Sequence, residues 1–115
     1  MKDINISDFS GTKLNTTELT MILFKADNCP YCDDFLPLYK KLSNKYKTLS
    51  FSSFNMGDIK EINSPGRDFI NNLNKSGIVI KTFPTILLFK NGFYLGRFLD
   101  DRTEVNLNTY INNLL

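Results

Sequence analysis

Two cysteines three residues apart, Cys29-Pro30-Tyr31-Cys32, are the side chains of this sequence best placed for covalent chemistry. At the start of a helix this spacing puts both sulfurs on one face, one turn apart, where a disulfide can close and open with little backbone movement. The unpaired amides and macrodipole of a helix N-terminus stabilise an anion, so a Cys29 thiolate is accessible near neutral pH. Cys29 is therefore the expected nucleophile and Cys32 the expected resolving thiol. The reaction would be attack on a substrate disulfide, a mixed disulfide as intermediate, and release by Cys32, with its direction set by redox poise. It needs no metal and no organic cofactor. A C-x-x-C pair can also be a structural disulfide or half of a zinc site. The sequence has no further cysteine and no histidine, so four-cysteine and histidine-containing zinc sites cannot assemble within one chain. The missing imidazole also removes Ser-His-Asp and Cys-His hydrolysis.

Positioning the pair requires a strand that ends before it and a helix that starts at it. Met21-Ile22-Leu23-Phe24 is a continuous apolar run suited to a strand buried on both faces. From Pro30 to Tyr46, apolar residues recur every three or four positions, the pattern of an amphipathic helix with proline in its first turn. Leu49 to Phe54 reads as a second strand, Met56 to Gly66 as a loop, and Arg67 to Lys75 as a short helix stopped at Gly77. Pro84 to Phe89, then Asn91-Gly92, then Phe93 to Leu99 predict an antiparallel hairpin on a type I′ turn. Thr103 to Leu115 closes the chain as a helix. The order β-α-β-α-β-β-α implies an α/β sandwich with a mixed sheet flanked by helices.

Composition agrees with one domain over residues 1–115. A chain of 115 residues, 42% hydrophobic, can bury roughly two thirds of its unfolded surface. Fourteen basic and twelve acidic residues leave a net charge of +2, too little for a nucleic-acid footprint. No apolar run approaches the roughly 20 residues of a membrane span, and Met1 to Thr20, with Asp3, Asp8 and Glu18, is unlike a secretory signal. A cytoplasmic monomer without nucleic-acid or membrane partners is expected.

Two separated motifs resemble the thioredoxin superfamily over roughly Thr20 to Leu115. FKADNCPYC at 24–32 is similar to the strand-to-active-site stretch, with Pro37 where thioredoxins carry a helix-kinking proline. KTFPTILLFKNG at 81–92 is similar to the segment that holds a cis-proline and the following hairpin. The resemblance implies a thioredoxin-like three-layer sandwich and a cis Phe83-Pro84 bond facing the disulfide, with Phe83 backbone groups and the Pro30-Tyr31 dipeptide available to an extended substrate. Arg102-Thr103 resembles the Arg-Thr that opens the last helix in protein disulfide isomerase domains. It raises the reading that Arg102 approaches Cys32, against the plainer one of an ion pair with Asp100 or Asp101. Lys25 stands where thioredoxins often have tryptophan, and either stabilises the thiolate or a glutathione carboxylate or is a solvated lysine. Tyr31 either covers the helix end or contacts substrate. Asp33 and Asp34 suit the helix dipole.

The chain also departs from the family. Leu23 stands where many thioredoxins have a buried acid, and the lysine of the next strand falls near Ser53, a departure that bears on proton relay to Cys32. Pro30-Tyr31 is the dipeptide of dithiol glutaredoxins, yet their Gly-Gly pair before the last helix is absent. The resemblance thus implies an oxidoreductase for protein disulfides, with a reductase or glutathione as electron donor. A glutathione-dependent glutaredoxin-like reductase is an alternative. So is a non-catalytic thioredoxin-fold binding module, or a dimer sharing an iron-sulfur cluster through both chains' cysteines.

Overall fold

The apolar run at Met21 to Phe24 is fully buried because its strand lies in the middle of a sheet covered on both sides. In this computed structural model, which describes residues 1–58 and 65–115, five strands form that sheet. They are β1 (Lys2–Ile4), β4 (Thr20–Lys25), β5 (Ser50–Asn55), β6 (Thr85–Lys90) and β7 (Phe93–Arg97), in the spatial order β1-β5-β4-β6-β7. β1, β5 and β4 run parallel, whereas β6 and β7 are antiparallel to their neighbours, giving the expected mixed sheet. A small ribbon of β2 (Phe9–Ser10) and β3 (Lys13–Leu14) precedes β4. The helices are α1 (Pro30–Lys45), α2 (Pro65–Lys75) and α3 (Glu104–Leu114).

Alternation along β4 sends its side chains into two cores. Met21 and Leu23 join Phe35, Tyr39 and Leu42 of α1 and Leu107 and Ile111 of α3. Ile22 and Phe24 face the other way, into a cluster with Phe54, Phe69, Leu73 and Phe89 that Ile4, Phe9 and Leu14 complete. Helices thus cover both faces of the sheet, the three-layer arrangement that the resemblance implies. At the hairpin, Asn91 and Gly92 take φ of 51° and 85°, as the type I′ reading requires. The Gly92 carbonyl also accepts the Leu14 amide at 2.9 Å, and a Cβ at Gly92 would run into the Leu14 carbonyl, so β3 is clamped onto the turn.

The structure corrects the predicted order in three places. The first 19 residues contain β1, a 3-10 turn (Ile6–Asp8) and the β2–β3 ribbon, all absent from the predicted order. Their strands are two or three residues long, too short for alternation to register. α2 already includes Pro65 and Gly66, ahead of the expected Arg67. The last strand stops at Arg97 rather than Leu99. Of the expected loop over 56–66, residues 56–58 are irregular, and 59–64 lie outside the described residues.

Tyr39 locks α1 to the sheet. Its hydroxyl, fully buried, shares its one proton between the carbonyls of Met21 (3.0 Å) and Ser52 (2.8 Å). Burial pushes its phenol far above the ordinary value of 10.0, and burial likewise raises Tyr110, helped by Tyr94. These groups stay neutral in the folded state while the unfolded chain ionises. Their contribution is complete below about pH 10 and is lost as pH rises beyond it, with a slope of about 1.4 kcal/mol per pH unit for the fully buried Tyr39 and a smaller one for the more exposed Tyr110. Urea titrations at pH 9 to 11.5 should show this loss, and a Tyr39→Phe variant, weaker at neutral pH by about 1 to 3 kcal/mol, should show a shallower slope. An unchanged slope would remove Tyr39 as the group responsible.

Candidate active site

The turn between β4 and α1 builds the cysteine site. Asn28 takes a left-handed φ of 55°, a conformation that asparagine tolerates, and turns the chain into Cys29 at the N-cap. Pro30 follows at the first helical position, where its missing amide costs nothing. The Cys29 carbonyl accepts the Cys32 and Asp33 amides at 3.1 Å each, and the Cys29 sulfur receives the Cys32 amide at 3.2 Å. The cysteines are joined in a disulfide with Cα atoms 5.2 Å apart. Cys29 is partly exposed, whereas Cys32 is 1% exposed. When the pair is reduced, the Cys32 amide and the helix N-terminus stabilise negative charge on Cys29.

The Phe83-Pro84 bond is cis, and the Phe83 carbonyl oxygen lies 3.8 Å from the Cys29 sulfur. The segment before β6 thereby meets the start of α1 across a gap in sequence of 54 residues. A groove of about 610 Å³ opens there, lined by Ala26, Asp27, Asn28, Cys29, Pro30, Asp58, Lys81, Thr82 and Phe83. Pro84 is buried and Phe83 half-buried. On the other flank of the cis-proline a groove of about 200 Å³ is lined by Thr82, Pro84, Thr85, Arg97, Leu99, Asp100 and Arg102, among others.

The structure brings Cys29, Cys32, Pro30, Phe83 and Pro84 together. Tyr31 is 69% exposed beside the disulfide. Lys25, half-buried at the end of β4, is absent from the lining of both grooves. Arg102 is exposed and forms no ion pair with Asp100 or Asp101; away from the site, Lys41 pairs with Glu104 at 3.0 Å. That corrects the plainer reading of Arg102. An exposed pair gains too little in water to hold two mobile side chains together. Asp33 lies in the first turn of α1, as the dipole argument requires. Sequence reasoning missed Asp27, Asp58, Lys81 and Thr82 as groove residues. Lys81 and Thr82 could have been found from their adjacency to Phe83-Pro84, whereas nothing local marks Asp58. Where the family's buried acid is expected, Leu23 is fully buried, and its partner across the sheet, Ser53, donates to Asp3 at 2.6 Å. Among the described residues no three acidic, histidine or cysteine side chains converge to hold a metal, and no helix is long and apolar enough to cross a membrane.

The model of the thioredoxin family matches residues 2–113. The fold is similar to that of thioredoxin f2 from Chlamydomonas reinhardtii (TM-score 0.75, 20% identity, covering 99% of this chain and 95% of that one). It is also similar to Fasciola hepatica thioredoxin (TM-score 0.58, 20% identity, 86% and 83%) and to the J-Trx1 fragment of ERdj5 (TM-score 0.64, 18% identity, 85% and 43%). A curated relative, the uncharacterized protein 196R of Invertebrate iridescent virus 6, is 24% identical over 99 residues, covering 86% of this chain. The chain spans about half, 53%, of that relative's length. The family match reaches into the N-terminal strands that sequence motifs left out, and on it rests the assignment that the chain belongs to the thioredoxin family.

Proposed function

We propose that the chain is a thiol-disulfide oxidoreductase that reduces or exchanges protein disulfides, with Cys29 as nucleophile and Cys32 as resolving thiol. The observation that carries this reading is the unequal exposure of the two sulfurs. Cys29 is reachable at the edge of a groove and Cys32 is sealed at 1% exposure. A structural disulfide gains nothing from one sulfur facing a groove and a cis-proline carbonyl, but an exchange reaction needs an accessible attacking sulfur and a sheltered second one. Phe83, Pro84, Pro30 and Tyr31 would hold the substrate segment around the attacked disulfide, and a reducing compartment such as the cytosol suits a pair that must cycle.

The test is the equilibrium reduction potential of the pair in a glutathione buffer, joined to turnover with a protein disulfide. A value near about −270 mV with reduction of protein disulfides would fit a reductant fed by a reductase. A value near about −200 mV with activity that depends on glutathione would transfer the reading to the glutaredoxin-like alternative, which the Pro30-Tyr31 dipeptide favours. A pair that does not exchange at all would leave a binding module. Replacing Pro30-Tyr31 by Gly-Pro is expected to lower the potential by tens of millivolts, where about 30 mV is roughly 1.4 kcal/mol. An unchanged potential would show that the dipeptide does not tune the couple.

A further inference from the structure

Two loops leave the same end of the sheet and meet beside Cys29. One runs from Lys25 at the end of β4 through Asp27 and Asn28 to Cys29, and the other leaves β5 at Asn55 and passes Met56, Gly57 and Asp58. Asp27, Asn28 and Cys29 from the first loop and Asp58 from the second line the groove of about 610 Å³. Four hydrogen bonds hold these loops in shape. The Met56 amide donates to the Lys25 carbonyl at 2.7 Å and continues the β4–β5 ladder, and the Asp27 amide donates to the Gly57 carbonyl at 3.0 Å. Asn55 supplies the other two. Its Oδ1 accepts the Gly57 amide at 2.9 Å, two residues on, as in an Asx turn, and its Nδ2 donates to the Asp27 carboxylate at 3.2 Å. Behind the β5 loop, Gly66 of α2 lies so close to the Met56 carbonyl that a Cβ there would collide with it. The β5 loop is thus braced from behind, and the Asn55 side chain passes its position on to the turn that carries Cys29. Asn55 itself is exposed and belongs to neither core, so packing does not account for it.

We infer that Asn55 is a positioning residue for polypeptide disulfides: acting through Asp27, it holds the groove wall before Cys29 in the shape that a substrate segment meets. The inference rests on the exchange reaction proposed above. Asn55 does not line the groove, and its two bonds go to the loops and not to a sulfur. Without it, the wall would have to be ordered during binding. That cost raises the substrate concentration required but leaves the rate of the bound complex as it was. A disulfide too small to lie along the groove needs only the Cys29 sulfur and escapes the effect.

Prereduced protein would be mixed with excess insulin, or with hydroxyethyl disulfide, and the oxidation of its dithiol followed by acid quench over a range of concentrations. With insulin, Asn55→Ala should raise the half-saturating concentration about fivefold, the scale of one ordinary hydrogen bond, and leave the limiting rate within about twofold. With hydroxyethyl disulfide, the variant and the unmodified chain should react alike. Asp27→Ala should also raise the insulin value, and the double variant should go no further than the larger single effect, because both changes cut the same link. Asn55→Ser keeps a hydroxyl that can cap Gly57 but is too short to reach Asp27, so it should behave as Asn55→Ala and decides the matter if that variant does not fold. An unchanged half-saturating concentration, a fall in the limiting rate instead, equal losses with both disulfides, or effects that multiply in the double variant overturns the inference. The unmodified chain separates the two failures. If hydroxyethyl disulfide oxidises its dithiol, the exchange reaction stands whatever the variants do, whereas no oxidation by either disulfide sinks both readings.

Discussion

A Cys29→Ser variant should lose disulfide reduction by about a thousandfold or more, down to the uncatalysed background, because the attacking sulfur is gone and the buried Cys32 cannot replace it. At 1% exposure, Cys32 has no approach path for a protein disulfide, so the two cysteines are not interchangeable. The companion Cys32→Ser variant should still attack once and then hold its substrate, giving a stable covalent complex and no multiple turnover. Circular dichroism should show the fold intact in both variants. Closing so short a loop contributes only about 2 kcal/mol by chain entropy. Insulin reduction followed by turbidity would measure turnover, and substantial activity in Cys29→Ser would overturn the assignment of the nucleophile.

A Phe54→Ala variant should have the largest effect on stability, about 3 to 5 kcal/mol. The Phe54 ring stacks on Phe69 at 5.2 Å with planes 7° apart and on Phe24 at 5.3 Å, and it meets Phe9 at 6.0 Å. It therefore joins the central strand, α2 and the N-terminal segment in one place, and truncation removes aromatic contact on three sides while leaving a cavity that these large rings cannot close. Domains of this size are stable by only about 5 to 15 kcal/mol, so urea unfolding should move to much lower concentration. Because Phe54 lies on the face opposite α1, the remaining folded fraction should keep a normal Cys29-Cys32 potential. A loss below about 1 kcal/mol would mean that the neighbouring rings repack.

Local rules made part of this molecule readable before any coordinates. The cysteine pair with Pro30, the apolar run at Met21 to Phe24 and the Asn91-Gly92 turn each announce their geometry within a few residues, and the structure has all three. Phe83-Pro84 was legible only through family resemblance, because most X-Pro bonds are trans and nothing adjacent marks this one. What could not be read depends on distant partners. Lys2 to Ile4 is a strand only because β5 offers it a parallel edge, with Lys2 opposite Ser52 and Ile4 opposite Phe54. Asp3 finds its role through Ser53, fifty residues away. Asp58 reaches the groove by the path of a loop. Ser53 stands on β5 where the resemblance points to a lysine, and its polar link runs outward to Asp3 on β1 rather than inward to β4.

The ribbon that Gly92 clamps through Leu14 has a practical consequence for anyone trimming this protein. A fragment starting at Thr20 would keep both cysteines, the cis-proline and every recognisable motif. It would lack Ile4, Phe9 and Leu14, and so bare the rings of Phe54, Phe69 and Phe89 to water. Such plates adhere to one another, so the shortened chain should precipitate or be degraded before its dithiol could be assayed. An inactive fragment of that kind would report on solubility, and be mistaken for a failure of redox chemistry.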